Sequence, residues 1–321
     1  TETCGFVEQM LSDEILMAQT GDMMWAANLE DVAFNSLPAS MTEDLKALRY
    51  LTCPNMVQSD SRNHHPGVDN RGPFFSMNPF SSRCCQHNHA MGWPYYAQNL
   101  VLASADGGAA ILTYSDCQAT LMVGSGQRVT LDEQTHYPFG EDVLITVGGV
   151  GRKGSATFPL YLRIPAWTTD AHVQVNGQTI DCRPTQGLLR ISRTWKDGDR
   201  VQLYLPMRLS LRRWALNKNS VNVDYGPLTM SLLIRERRQQ ADSRHTAIGD
   251  SHWQEGADAS QWPTTEIYAA SPWNYALVPC VKGMKVERTA WPQDNYPFAL
   301  ESVPLRVKAS GALVPSWGQD E

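Results

Sequence analysis

Residues 106–114, DGGAAILTY, mark the point at which the chain changes from a helical to a strand-like pattern. Asp-Gly-Gly is a turn signal, and here it closes a helical run. The apolar residues from Ala109 to Tyr114 belong to a short run typical of a β-strand. We therefore predict an α+β chain in which helices come before residue 106 and strands come after it.

Three amphipathic runs precede this boundary. The first is predicted to end near Gly21 and the second at Pro38, because glycine and proline terminate helices. The third follows the cysteine pair at 84–85, and the polar stretch 58–83 before it is predicted to be a long loop. The apolar positions that define the three helical faces are Phe6, Met10, Leu11 and Leu16; Trp25, Leu29, Val32 and Phe34; and Trp93, Tyr96 and Leu100.

Short strand-like runs separated by turn signals fill the rest of the chain, a spacing that is typical of β-sandwiches. Asn176-Gly177 is the strongest hairpin signal among them. We predict domains at 1–105, 106–235 and 236–321, the last of which opens with a polar stretch that runs from Arg235 to about Gln261. The predicted strands are 109–114, 127–131, 143–147, 159–164, 172–175, 188–191, 200–205, 266–268, 274–278, 284–287 and 303–308.

The composition excludes some classes of partner. A formal charge of −6 gives no basic surface for nucleic acid or an anionic membrane, and no apolar run approaches the roughly 20 residues that cross a bilayer. Seven cysteines are an odd number in a chain too long to need disulfides, which favours thiols kept for chemistry or metal binding.

Glu2, Cys4, Cys84 and Cys85 form two close pairs that could meet in the fold. Three thiolates and one carboxylate suit a tetrahedral zinc ion. The spacing alone leaves a plainer interpretation open, because buried cysteine is usually a small hydrophobic residue. Cys53, Cys117, Cys182 and Cys280 are interpreted in that way.

Several motifs in order carry a resemblance to glycoside hydrolase family 127, the β-L-arabinofuranosidases, and its uncharacterised relatives. It covers most of residues 1–235, and the tail, with SPWNY at 271–275, fits a subgroup. By this resemblance the chain is the C-terminal portion of such an enzyme and starts inside the catalytic domain. The motifs are TETCG at 1–5, Glu30 followed by Asn35, Tyr50, SRCCQHN at 82–88, LRIPAW at 162–167, VNG at 175–177, WKDGDRV at 195–201, LPM at 205–207 and YGPL at 225–228.

The resemblance implies part of an (α/α)6 helical barrel followed by β-sandwich domains. It further implies a retaining glycosidase in which Glu2, Cys4, Cys84 and Cys85 hold zinc and Cys84 is the nucleophile. The thiolate nucleophile departs from the pair of carboxylates that most glycosidases use. Glu30 and Tyr50 match positions that contact the sugar.

The substrate expected from the resemblance is an oligosaccharide or glycoconjugate, with a β-linked L-arabinofuranoside or related plant cell-wall sugar as the first choice. The family's acid/base glutamate comes shortly before the Glu-x-Cys motif, which here is Glu2 to Cys4. No residue of the chain matches it, so the chain alone is expected to be inactive. A homodimer is compatible with the sequence, and the compartment is left open.

Two other functions fit the same residues. One is a non-catalytic carbohydrate-binding protein that zinc stabilises, and the other is a redox dithiol at Cys84-Cys85, which would make Glu2 and Cys4 coincidental. Solvated histidines and packing aromatics are the plainer interpretation of the remaining candidates, although His87 and His89 could orient a zinc ligand. Those candidates are His64, His65, His87, His89, Trp93, Tyr95, Tyr96, Trp167 and Trp195.

Overall fold

The structure is a computed structural model, and it shows a mixed α+β chain that consists mostly of sheets with few helices. It describes residues 1–52, 55–60, 75–76, 84–151, 154–241, 256, 258–261, 263–293 and 296–318. No helix in those ranges is long and apolar enough to cross a membrane.

Every α-helix in the described ranges comes before residue 100, as predicted. The first ends at Gly21, whose φ of 66° and ψ of 12° form the left-handed cap that glycine accommodates best. The second passes into a π-helical turn, Val32–Ser36, that the sequence did not predict, and the helical path runs past Pro38 to Ala39. The helices are α1 Thr3–Thr20, α2 Met23–Asp31, α3 Leu37–Ala39, α4 Cys84–Asn88 and α5 Gly92–Gln98. Short 3-10 turns lie at His89–Met91, Ala259–Gln261 and Val281–Gly283.

The first two strands along the chain, β1 Ala47–Leu48 and β2 Phe75–Ser76, form a small antiparallel pair. Two larger sheets form the centre of the molecule. The six-stranded sheet has the order β10-β9-β12-β7-β6-β5 and the four-stranded sheet the order β11-β8-β4-β3. Their strands are β3 Val101–Ala103, β4 Ala109–Ile111, β5 Cys117–Val123, β6 Gln127–Thr135, β7 Asp142–Gly148, β8 Ser155–Arg163, β9 His172–Val175, β10 Gln178–Ile180, β11 Leu188–Lys196 and β12 Arg200–Tyr204.

The sheets begin earlier than predicted. Strand β3 pairs with β4 on both sides of the Asp-Gly-Gly triplet, so the triplet turns a hairpin and does not end a helix. Gly107 has a φ of 77°, and a Cβ atom on Gly108 would lie 2.2 Å from the carbonyl oxygen of Pro159. The β-region therefore starts at residue 101.

One hydrophobic core joins the helices to both sheets. Phe158 and Trp195 of the four-stranded sheet share it with Val129 of the six-stranded sheet and Leu29 of α2. Helix α2 is thereby packed against the sheets.

Smaller antiparallel units complete the described chain. The hairpin of β16 (Glu236–Ala241) and β17 (Thr264–Ala269) contacts Ser59 through Ile267 and so joins a late part of the chain to an early one. These strands are β13 Leu209–Trp214, β14 Ser220–Tyr225, β15 Leu228–Met230, β16 Glu236–Ala241, β17 Thr264–Ala269, β18 Tyr275–Leu277, β19 Lys285–Arg288, β20 Leu305–Lys308 and β21 Gly311–Leu313.

Candidate metal centre

The start of α1 holds two of the four predicted ligands. Glu2 is the residue before the helix, with extended angles of φ −76° and ψ 148°, and it forms an isolated antiparallel bridge with Leu51. The amide of Thr3 donates to the carbonyl oxygen of Tyr50 at 3.1 Å. Because the backbone on both sides of Glu2 is held, its side chain and that of Cys4 point from a fixed helix end.

The start of α4 supplies the other two ligands. Cys85 is fully buried against Leu48, and its sulfur accepts the amide hydrogen of Cys4 at 3.3 Å. Cys84, the preceding residue, is exposed. The adjacent thiols therefore differ in surroundings: one lies in the core and the other faces solvent.

The four ligand atoms lie within 4.8 Å of one another, so the structure brings together every residue predicted to bind metal. The sulfur of Cys4 is 3.7 Å from that of Cys84 and 3.2 Å from Oε2 of Glu2. Two thiolates on one tetrahedral zinc, each at about 2.3 Å, stand about 3.8 Å apart. The donor set and its spacing thus fit a metal ion such as zinc.

Cys4 and Cys85 are hard to ionise without a cation. Burial, followed by the hydrogen bond with Glu2 and the neighbouring thiols, raises the pKa of Cys4 far above the ordinary thiol value. Burial raises the pKa of Cys85 to about 11, although the amide of Cys4 acts in the opposite direction. A bound dication would displace these protons, since metal binding requires the thiolate form.

Tyr50 lies at the edge of this cluster. Its hydroxyl donates to Oε1 of Glu2 at 2.8 Å, which leaves Oε2 turned toward Cys4. Burial, and then the nearby carboxylate of Glu2, raises the pKa of Tyr50, so the phenol remains a donor at neutral pH. The predicted sugar contact of Tyr50 is untested, and in this structure its partner is a metal-ligand candidate.

Glu30 does not join the cluster. Its side chain is about 3% exposed and forms an ion pair with Arg163, while the hydroxyl of Tyr137 donates to it at 2.9 Å. Arg163 and Tyr137 occupy both oxygens of this buried carboxylate, and the sugar contact of Glu30 stays a prediction. Its role in this structure is to join α2 to the sheets.

The remaining candidates are distributed around the molecule. His89 lies with Nδ1 3.1 Å from the carbonyl oxygen of Cys85, so it contacts the backbone of a ligand residue, and burial lowers its pKa. His87 is exposed. Trp195 is buried in the core, as interpreted. The described free cysteines outside the cluster are Cys117, Cys182 and Cys280, whereas Cys53, His64 and His65 lie outside the described residues.

Sequence reasoning missed the residues that support the cluster. Arg49 is only 2% exposed, yet it stands between Leu48 and Tyr50 in the stretch ALRYL, residues 47–51. A lone arginine within such an apolar run is the signal that could have revealed it, because a buried charge needs partners.

Two models of known families match this chain. The model described as the GH127 β-L-arabinofuranosidase catalytic domain matches residues 1–98, and the model of the GH127 middle domain matches residues 109–207. Together they take in about three-fifths of the chain. No curated protein matches.

Solved structures share the fold. A glycoside hydrolase aligns at 23% identity and a TM-score of 0.59 over 83% of this chain and 48% of its own. A GH127 β-L-arabinofuranosidase from Geobacillus stearothermophilus aligns at 19% identity and a TM-score of 0.59, over 84% of this chain and 47% of its own. A GH127 β-arabinofuranosidase aligns at 22% identity and a TM-score of 0.57, over 71% and 36%.

The chain spans less than half the length of each of these structures. The two family matches follow one another in the order of the fold, and the first of them contains all four members of the cysteine and glutamate cluster. The chain therefore belongs to glycoside hydrolase family 127, the β-L-arabinofuranosidase family.

Proposed function

We propose that this chain carries the nucleophile and metal centre of a retaining glycoside hydrolase. Its substrate is a β-linked L-arabinofuranoside or a related plant cell-wall sugar. The observation that supports the proposal is the exposed thiol of Cys84 inside a four-ligand cluster. A structural zinc site is closed on all sides, whereas a catalytic one keeps an accessible position.

In the proposed reaction the sulfur of Cys84 attacks the anomeric carbon. A carbon–sulfur bond forms as the glycosidic carbon–oxygen bond breaks, and the leaving oxygen takes a proton from a general acid. The family resemblance puts that acid at a glutamate before the Glu-x-Cys motif. Water then attacks the same carbon and gives its proton back to that glutamate, the carbon–sulfur bond breaks, and Cys84 returns as a thiolate. Two displacements retain the anomeric configuration.

Glu2, Cys4, Cys84 and Cys85 would hold a zinc ion, which supplies the positive charge that keeps the thiols ionised and makes sulfur a better leaving group. Cys85, buried in the core, and Cys4, on the helix end, anchor the centre. Tyr50 fixes the carboxylate of Glu2 by its 2.8 Å hydrogen bond. Cys84 presents the reactive face.

The domain organisation belongs to the same proposal. Residues 1–105 form part of an (α/α)6 barrel, residues 106–235 a β-sandwich, and residues 236–321 a second β-rich domain. The position of every described α-helix before residue 100 supports this division, although β3 at Val101–Ala103 already belongs to the four-stranded sheet.

The first test is zinc content, measured by elemental analysis on protein purified without added metal. About one zinc per chain supports the centre. Protein without zinc, whose cysteines all titrate freely, contradicts it.

The second test separates catalysis from a structural role. A β-L-arabinofuranosylamine with a bromoacetyl group alkylates a nearby thiol without a general acid, and intact mass with peptide mapping locates the label. We expect a single label on Cys84 that free L-arabinose competes away.

The matched control is Cys280→Ala, because Cys280 is also exposed but lies outside the cluster. This variant should label as the wild type does, whereas Cys84→Ala should not label. Zinc-loaded protein that never labels at Cys84 points instead to the zinc-stabilised carbohydrate-binding protein.

A further inference from the structure

A buried arginine stands behind the metal centre. Arg49 is 2% exposed, its Nε donates to the carbonyl oxygen of Leu51 at 2.9 Å, and its Nη1 donates to Oγ of Ser59. The backbone carbonyl oxygen of Arg49 accepts the hydroxyl hydrogen of Thr3 at 2.5 Å. One residue therefore contacts the segment that holds Glu2 and, through its side chain, a second segment.

The second segment is anchored by the C-terminal hairpin. Ser59, 5% exposed, exchanges two backbone hydrogen bonds with Ile267 of β17, each 2.8 Å long. Strand β17 pairs with β16 along six residue pairs, and Thr264 at its start is 1% exposed. The partner of the Arg49 side chain is thus fixed by an element that lies about two hundred residues further along the chain.

At the other end, the contacts lead to a metal ligand. The carbonyl oxygen of Tyr50 accepts the amide hydrogen of Thr3 at 3.1 Å, and the hydroxyl of Tyr50 donates to Glu2 at 2.8 Å. Leu51, whose carbonyl oxygen receives Arg49 Nε, is the residue that bridges Glu2. A shift of the segment 49–51 would move the Tyr50 hydroxyl and the backbone of Glu2 together.

We propose that Arg49 is a positioning residue, which holds the segment 49–51 so that Tyr50 orients Glu2 toward the metal, and that the hairpin β16–β17 is the anchor of this arrangement. The inference rests on the proposed function of the centre. The planar guanidinium satisfies two acceptors in a fixed geometry, which a lysine ammonium does not reproduce.

The test measures the zinc affinity of three proteins: the wild type, Arg49→Lys and Ser59→Ala. Each is prepared without zinc and then competes with a chromophoric chelator for added zinc. Groups that orient metal ligands contribute about 10- to 100-fold to affinity, so we expect zinc binding by Arg49→Lys to weaken at least about tenfold. Ser59→Ala removes only one contact of Arg49, so we expect it to weaken zinc binding less than Arg49→Lys does.

The matched control is Arg238→Ala. The side chain of Arg238 also joins the hairpin to the front of the chain, through an exposed contact of 3.4 Å with Glu43 that does not involve the segment 49–51. This variant should bind zinc as tightly as the wild type does.

Cobalt provides a signature that lost stability alone would not change. Thiolate-to-cobalt charge-transfer absorption follows the number of thiolates and should persist in Arg49→Lys, whereas the d–d bands follow the whole ligand set and should shift as Glu2 is displaced. Glu2→Gln gives the reference spectrum for that displacement.

A double-mutant cycle tests the route through Tyr50. If Arg49 acts through the Tyr50–Glu2 contact, Arg49→Lys combined with Tyr50→Phe binds zinc about as weakly as the weaker single variant. Fully additive losses overturn the proposal, and so do unchanged affinity and unchanged cobalt bands in a folded Arg49→Lys.

The wild-type protein separates the two hypotheses. If the wild type binds no zinc, the proposed centre itself fails. If the wild type binds zinc and Arg49→Lys and Ser59→Ala bind it equally well, only the role of Arg49 fails. Should Arg49→Lys not fold, Ser59→Ala decides by the same two measurements.

Discussion

Glu30 and Arg163 face each other across the boundary between the helices and the sheets, with two contacts of 2.8 Å between carboxylate and guanidinium. Both side chains are almost fully buried, and the hydroxyl of Tyr137 donates to the same carboxylate. Arg163 also donates to the carbonyl oxygen of Leu112. The end of α2 is thereby tied to the end of β8 by charges that have little access to water.

Removal of one partner of this ion pair should destabilise the fold strongly. Glu30→Ala leaves the guanidinium of Arg163 buried without its counter-charge, so we expect a loss of about 3–5 kcal/mol in the free energy of unfolding, and a smaller loss for Glu30→Gln. Urea unfolding measures both. Arg208→Ala is the matched control, because the Arg208–Asp170 pair is exposed and should contribute less than about 1 kcal/mol.

Zinc affinity should be unchanged in Glu30→Gln, since Glu30 lies outside the cluster. A Glu30→Gln protein that keeps wild-type stability but no longer binds sugar would support the sugar contact that the family resemblance predicts for Glu30.

Local chemistry made part of the fold predictable. Gly21 ends α1 because a left-handed residue caps a helix, and Asn176-Gly177, with φ values of 51° and 78°, connects β9 to β10 as such dipeptides do. The pairs Glu2/Cys4 and Cys84/Cys85 stand out by their spacing together with the family resemblance of the motifs around them, since spacing alone leaves a hydrophobic role for the cysteines open.

Long-range pairing made the rest unpredictable. Nothing near Ser59 in the sequence indicates that its backbone pairs with Ile267, and nothing near Glu30 points to Arg163. The π-helical turn was also missed, because its residues have ordinary helical patterning and the reason for it lies in distant partners of Asn35.

Asn35 fastens that π-helical turn to the turn between β14 and β15. Its Nδ2 donates to the carbonyl oxygen of Pro227 at 3.0 Å, and its Oδ1 accepts the amide hydrogen of Thr229 at 2.7 Å. Asn35→Ala leaves both groups unpaired, so we expect a loss of about 1–3 kcal/mol by urea unfolding. Asn28→Ala, at an exposed position of α2, should change stability by less than about 0.5 kcal/mol. Equal effects of the two variants would contradict this role.

Glu133 should make the stability of the fold depend on pH. Burial raises the pKa of Glu133 from 4.5 to about 8; its Oε1 accepts the amide hydrogen of Ser115, and its Oε2 is buried without a partner among the described residues. Between pH 4.5 and about 8 the folded chain keeps a proton that the unfolded chain releases. The free energy of unfolding therefore falls as pH rises through this window, by at most about 1.4 kcal/mol per pH unit from this group.

The check is urea unfolding of the wild type and Glu133→Gln at several pH values across that window. Burial also raises the pKa of Glu14, to about 7, so both proteins keep its contribution and their difference isolates Glu133. We expect the free energy of unfolding of Glu133→Gln to fall less than that of the wild type as the pH approaches 8. Parallel curves for the two proteins would mean that Glu133 does not titrate in this range.

Zinc should change which cysteines react. Of the six described cysteines only Cys84 and Cys280 are exposed, so in a Cys53→Ser background the zinc-free protein should show two thiols that react fast with a disulfide reagent. Zinc should slow the reaction of Cys84 with the reagent by tenfold or more, because a metal-bound thiolate is a weaker nucleophile. Cys280 should then be the one thiol that still reacts fast. In Cys280→Ala on the same background that last fast reaction should vanish.

Addition of a chelator should restore the reactivity of Cys84 and lower the melting temperature, since zinc bound only to the folded state stabilises it. A fast Cys84 in protein shown to contain one zinc would place the metal away from this thiol.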